Sequence, residues 1–205
     1  MNVALTLLRR LRQLTLREAV KSLVPHKFDV YLYEGTPGTL DATPPVSPRL
    51  ESTTIERYSA QRLSGVPYID AKLKGTCEAY AVWIDGEVAH RCFCSWEISH
   101  PRQFGFDASA PVLFDGWTRP EHRGKRLHPL VRRHVMEDTL RRGVAKRVYS
   151  EITPSNIASL KGNQRSGSRC VARLQGIKFA GLIFRRQVLP PHPSDGPDGV
   201  SPGAH

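Results

Sequence analysis

The chain has no run of 18 or more apolar residues, which argues against a membrane-spanning helix. Cysteine is scarce. The four present, Cys77, Cys92, Cys94 and Cys170, are too irregularly spaced for a secreted disulfide framework or a finger-type zinc site, so no metal is expected. Cys92 and Cys94 fall on one face of any strand and read as small buried hydrophobes, and no histidine can be placed beside a cysteine to make a nucleophile. The first segment lacks both the unbroken apolar core and the small-residue cleavage site of a signal peptide, and the expected compartment is the cytoplasm; an Arg-rich presequence stays open. Acidic side chains are the remaining shortage: 19 Asp+Glu face 30 Lys+Arg, for a formal net charge of +11 over 205 residues. The apolar fraction of 40% is near the globular norm, so wholesale disorder is excluded and one domain with short appendages is expected.

The position of the charge says more than its sum. Residues 1–27 hold six Lys/Arg and one acid, and residues 28–118 hold seven against twelve acids. Residues 119–147 then hold ten against three. The acidic middle disfavours an all-round nucleic-acid coat, and no nucleic-acid partner is expected.

Residues 3–24 place leucines and valines near helical spacing, with Arg9, Arg10, Arg12, Arg17 and Lys21 between them. This basic amphipathic helix (residues 1–25) either packs on the domain or makes a peripheral contact with an anionic membrane. Residues 28–33 form a β-type run closed by Gly35. The proline-rich stretch Thr36 to Pro48 reads as an exposed connector. Ser52 to Leu63 reads as a helix, because Thr53 and Glu56 have capping-box spacing, and a second short helix is expected over Tyr68 to Leu73. Ala79–Ile84 and Val88–Ser95 flank Asp85-Gly86, the strongest hairpin signal in the chain. A strand at Val112–Trp117, a basic loop and a helix from His128 to Arg142 follow, with Pro129 tolerated in its first turn. The remaining pattern is a strand at Lys146–Ile152, a helix capped by Ser155 or Asn156 and running to Arg165, and one or two closing strands over Cys170–Phe184. This order implies an α/β fold with a mixed sheet and helices on both faces, spanning residues 26–188, before a disordered tail at 189–205.

The informative stretch is residues 117–131, Trp-Thr-Arg-Pro-Glu-His-Arg-Gly-Lys-Arg-Leu-His-Pro-Leu-Val. A strand ends, a turn with Gly124 follows, and a helix begins, so free backbone N–H groups and a positive helix end converge where Arg123, Lys125 and Arg126 add formal charge. Such a spot suits a pyrophosphate. About thirty residues later, Glu-Ile-Thr-Pro-Ser-Asn-Ile-Ala-Ser-Leu-Lys-Gly begins at Glu151 on the next strand-to-helix junction, able to face the same crevice.

From Cys77 to Phe184 the chain resembles the GNAT superfamily of acetyl-CoA-dependent N-acetyltransferases. Pro-Glu-His-Arg-Gly-Lys-Arg-Leu is similar to that family's acyl-CoA loop, and Thr-Pro-Ser-Asn-Ile-Ala-Ser-Leu-Lys-Gly to its later Asn-x-x-Ser/Ala segment. The resemblance implies a wedge between two splayed parallel strands. Acetyl-CoA as cosubstrate would pair with backbone at Trp117 and Thr118 and meet the N–H groups of Arg123, Gly124, Lys125, Arg126, Leu127 and His128. Asn156 and Ser159 would touch its pantetheine or adenosine side. Arg126 and His128 stand where the family's pattern has small residues, although Leu127-His128-Pro129 is similar to a Leu-Tyr-Pro subgroup with members acting on amino sugars. Asn163 and Gly167-Ser168 stand where many members have a Tyr and a Gly-Phe pair, so no phenol protonates the leaving thiolate from that place.

The implied reaction is direct attack of a neutral amine on the thioester, which needs a base. Glu78 and Asp115 are the two candidates, each on a predicted sheet strand near the crevice; His90 and His100 are outsiders, and Trp83 and Trp96 read as core. The acceptor is expected to be a small-molecule amine such as an amino sugar, and the basic surface favours one bearing phosphate, such as a nucleotide-linked amino sugar; another small amine and a protein terminus or lysine stay open. The competing reading is a non-catalytic basic module that binds RNA or an anionic membrane.

Overall fold

The structure, a computed structural model, describes residues 23–45, 54–58, 77–180 and 182–191. The expectations for the N-terminal helix, for Tyr68–Leu73 and for the tail beyond residue 191 lie outside these residues. Strand β1 (His26–Gly35) is followed by a one-turn helix α1 (Pro37–Asp41) and an edge strand β2 (Thr54–Tyr58). Strands β3 (Cys77–Ile84) and β4 (Glu87–Ser95), helix α2 (His100–Gln103) and strand β5 (Val112–Thr118) come next. A 3-10 turn (Pro120–His122) leads into helix α3 (Leu127–Arg141) and strand β6 (Val148–Ile152). Helix α4 (Ile157–Arg165) and strands β7 (Arg169–Phe179) and β8 (Leu182–Leu189) close the order.

The eight strands form one mixed sheet in the order β2-β3-β4-β5-β6-β1-β7-β8. Every neighbouring pair is antiparallel except β5 and β6. The β3–β4 hairpin turns through Asp85 (φ 52°) and Gly86 (φ 79°), the positive angles a tight primed turn needs. On one face α3 lays Val131, Val135 and Met136 over Tyr80, Val82, Cys92, Cys94, Leu113 and Val148, and α1 adds Leu40 to the same cluster. The four cysteines are buried free thiols, and Trp83 and Trp96 pack against the core. The opposite face carries Phe28, Val30, Leu32, Val112, Tyr149, Ala172 and Leu174 beneath Phe104 of the residues closing α2. Among the described residues no helix is long and apolar enough to cross a membrane, and no cluster of His, Cys, Asp and Glu is arranged to hold a metal ion.

Two local expectations fail for physical reasons. Thr36 forms a capping box with Thr39, and Pro37 occupies the first helical turn, where its missing N–H has no partner to lose; α1 therefore stands in the proline-rich connector. Thr54–Tyr58 pairs antiparallel with β3 over five residues, Thr54 opposite Trp83 and Tyr58 opposite Ala79, instead of opening a helix. The Thr53/Glu56 spacing was a false start signal: Thr-Ile-Glu-Arg-Tyr is β-branched and aromatic, and the partner strand decides.

Candidate functional site

The wedge is set by strand register. β5 and β6 pair in parallel only at Val112–Tyr149 and Leu113–Ser150, and beyond that rung they part. On its other edge β5 carries a bulge: Arg91 opposes Trp117 and Phe93 opposes Phe114, so one extra residue is inserted at Asp115-Gly116. Asp115 takes a left-handed conformation there, with φ at 51°. A bulge twists the strand locally, and here it turns the end of β5 away from β6. The β5 backbone from Phe114 to Thr118 thus has no strand partner on the β6 side.

Behind that edge lies a cavity of about 500 Å³, within the range of small-ligand pockets. Its walls are Gly116, Trp117 and Thr118 from β5, the loop with Arg123, Gly124 and Arg126, the first turn of α3, and Asn156, Ser159, Lys161 and Arg165 around α4. Four walls are Lys or Arg, and none is Asp or Glu. Among the described residues, Arg126, Lys161 and Arg165 have no side-chain hydrogen-bond or ion-pair partner. Arg123 donates from Nε to the Thr118 carbonyl at 3.3 Å, and Lys125, outside the lining, lies 3.1 Å from His122 Nδ1. Asn156 caps α4 by accepting from the Ser159 N–H at 3.2 Å. Nine of the ten sequence-predicted cofactor residues, from Trp117 to Ser159, therefore surround one cavity, with Lys125 on its rim loop. Lys161 and Arg165 were not anticipated; they recur at i and i+4 on α4, and that spacing was the available signal.

The two positions where small residues were expected have a structural account. Arg126 is the residue before α3 and adopts φ 63°, ψ 19°, a left-handed geometry that glycine takes without strain, while its side chain stays exposed. His128 inserts its ring between two glycines. A Cβ on Gly116 would lie 2.8 Å from His128 Cε1, and one on Gly162 would lie 2.5 Å from Cδ2, so the imidazole fits only because both are glycine.

Beneath His128 is a buried polar group the sequence did not place together. His90 is fully buried, its ring edge-on to His128 at 5.3 Å between centroids and its Nδ1 2.8 Å from the Thr118 hydroxyl. Burial, with the nearby Arg132 and Arg91 guanidinium groups, pushes His90 down to about 3, and burial and Arg132 push His128 well below the usual imidazole range. Both rings are neutral at pH 7, and the Nε2 atom of each is buried without a hydrogen-bond partner among the described residues.

Glu78 does not face the cavity, which corrects its assignment as a base. Its carboxylate accepts two bonds from Arg142 (2.9 and 2.7 Å), one from Arg57 (3.2 Å) and one from the Tyr80 hydroxyl (3.0 Å). Arg142 follows α3 at its far end, so Glu78 is about 20 Å from the cavity by helix length. Burial works to raise its pKa, but the bonds from Arg142 and Tyr80 prevail and hold it below the usual carboxylate range. Asp115 sits in the β5 bulge and is not among the cavity walls. His100, an outsider in the sequence, meets an acid the sequence did not single out and flanks the wedge from the opposite sheet face: its Nδ1 lies 2.8 Å from Glu151 Oε2, one residue beyond the last β5–β6 rung. The other oxygen of Glu151 is buried without a hydrogen-bond partner among the described residues.

No family model and no curated protein sequence matches the chain. Similarity appears in three dimensions. A Drosophila protein solved by X-ray diffraction superposes with a TM-score of 0.52 at 16% identity, covering 80% of this chain and 56% of that one. A GNAT-family acetyltransferase from Colwellia psychrerythraea superposes with a TM-score of 0.51 at 12% identity, covering 78% of this chain and 59% of that one. The chain thus spans under two thirds of either neighbour. At these identities the comparison establishes the fold: an eight-stranded mixed α/β sheet of GNAT type.

Proposed function

We propose that the chain is an acyltransferase that takes acetyl-CoA in the wedge between β5 and β6 and passes the acetyl group to a primary amine of a small acceptor. The observation that carries this is the cavity at the start of α3, walled by four cations and no carboxylate and opening on an unpaired strand edge. Each part suits one part of the cosubstrate. Backbone N–H groups at the loop from Arg123 to His128 and the positive end of α3 suit a diphosphate, with Arg123, Lys125 and Arg126 adding charge. The Trp117–Thr118 edge offers a β-type partner to the amide-bearing arm, and Asn156, Ser159, Lys161 and Arg165 line the other wall. The thioester supplies an activated acyl group, so the protein need not provide a covalent nucleophile.

The proton of the attacking amine goes to a base, and the His100–Glu151 pair fits that part better than Asp115. With Nδ1–H donated to Glu151, the ring's Nε2 is the acceptor nitrogen, and the carboxylate steadies the imidazolium that forms. The cationic surroundings favour an acceptor bearing phosphate, such as a nucleotide-linked amino sugar. Thermal unfolding with and without acetyl-CoA tests the reading. A hundredfold excess over Kd raises Tm by about 5–10 °C, and an Arg123→Ala, Gly124→Glu variant loses that rise. No shift with acetyl-CoA, together with salt-steep binding to RNA, would establish a basic binding module instead. Thiol release against a panel of amines then identifies the acceptor.

A further inference from the structure

Arg132 lies one helical turn beyond His128 and only 4% exposed, deeper than the cavity wall. Its guanidinium donates to the Ser150 hydroxyl, and Ser150 is on the last rung before β5 and β6 part. That is its single hydrogen-bond partner among the described residues. Among the described residues the Nε–H has none, and no carboxylate forms an ion pair with the guanidinium. The groups that face it are His90 and Cys92 from β4, His128 from its own helix and Ser150 from β6, and Cys92 is the one group that acts on its charge in the direction of an anion. Both histidines are neutral, and burial holds the Cys92 thiol up, so none of these supplies a negative charge. A guanidinium does not shed its proton, and a buried cation left uncompensated is strongly unfavourable.

We propose that Arg132 is a seat for a negative charge at the inner end of the wedge, completed only when the acyl end of a CoA thioester arrives. The inference rests on the acyltransferase reading. Two sources present the required anion there. One is the sulfur itself: as the amine nitrogen's lone pair forms the new C–N bond, the C–S electron pair leaves on sulfur as thiolate, and the amine's proton goes to the base. The other is a carboxylate on the acyl chain, as in a dicarboxylic monothioester. The first source accounts for Asn163 standing where the resembling family has a phenol, since a thiolate held by a fixed cation needs no acid.

Three probes separate these outcomes: acetyl-CoA, succinyl-CoA and free CoA, each titrated into the wild-type chain, Arg132→Met and Arg132→Lys. If thiolate is the source, ultraviolet absorbance shows the thiol of bound CoA ionising at least one pH unit below that of free CoA in the wild type and in Arg132→Lys, and not in Arg132→Met. If an acyl carboxylate is the source, succinyl-CoA binds at least about tenfold more tightly than acetyl-CoA in the wild type, and Arg132→Met removes the difference. Arg132→Met without ligand melts no lower than the wild type, because it removes an uncompensated charge. Wild-type protein that binds CoA but shows neither the thiol shift nor the succinyl preference overturns the inference and leaves the acyltransferase reading standing; protein that binds none of the three ends both.

Discussion

The two ends of α3 are equally rich in arginine, yet they do opposite things with it. At the C-terminal end Arg142 is held by Glu78 and Asp138, Arg141 by Asp138, and Arg57 bridges to the same acids, with the Tyr80 hydroxyl between them. Midway, Arg133 binds Glu137 and caps the chain after α1 through the carbonyls of Leu40, Thr43 and Pro44. Around the N-terminal end, among the described residues, Arg126 and the α4 cations Lys161 and Arg165 meet no acid, and Arg123 finds only a carbonyl. The macrodipole of α3 opposes the placement of Arg123 and Arg126, since cations are favoured at a helix C-terminus and repelled at its N-terminus. Charge that is neutralised marks structure. Charge gathered around a cavity at the start of α3 is what the proposed function needs for an anionic cosubstrate.

The largest expected effect breaks the C-terminal half of this contrast. Glu78→Ala strips one acid from a cluster of cations and lowers stability by about 2–3 kcal/mol, a Tm fall of roughly 5–10 °C in chemical or thermal unfolding, while acetyl-CoA binding is retained. Loss of binding without loss of stability would return Glu78 to the site.

Acid titration sharpens the N-terminal half. A histidine whose folded pKa is depressed takes up its proton more readily when unfolded, so stability falls as pH drops below the unfolded value of 6.5 and continues to fall toward the folded one, about 3 for His90. His128 adds to the same window, and so does the partly buried His134. Between pH 6.5 and 5 the carboxylates held low in the folded state do not yet contribute, and each buried histidine accounts for up to about 1.4 kcal/mol per pH unit. Denaturant unfolding across that range shows the slope, and His90→Gln flattens it; an unchanged slope would mean that His90 is protonated in the fold.

The smallest effect concerns Arg126. Replacing it by glycine relieves the left-handed backbone and raises stability by about 1 kcal/mol in the absence of ligand, while acetyl-CoA affinity falls through the lost charge. A drop in stability would mean that the side chain holds the loop.

What was legible in the sequence was local or chemical. Asp85-Gly86 states its own turn, Gly143 and Gly167 end helices with positive φ, and the loop from Arg119 to His128 announces a strand-to-helix junction with charge. Five residues of the candidate cavity, Arg123, Gly124, Arg126, Leu127 and His128, were legible from that junction alone. What was illegible depends on depth and register. Glu78 and Asp115 both lie on sheet strands, but only the pairing of β3 with β4 and the ion pairs to α3 reveal that Glu78 faces the far end of the helix. Thr54–Tyr58 carried a plausible capping box and lost it to a partner strand 25 residues away. Nothing in spacing distinguishes Arg132 from its neighbour Arg133, which is fully engaged.

The central claim is that the two ends of α3 differ in what they hold, and calorimetric titration of acetyl-CoA into charge-reversed variants tests it most directly. Arg123→Glu raises Kd at least about tenfold and Arg141→Glu, at the neutralised end, leaves it unchanged. Equal weakening by both, or no heat of binding to the wild-type protein, would contradict the account.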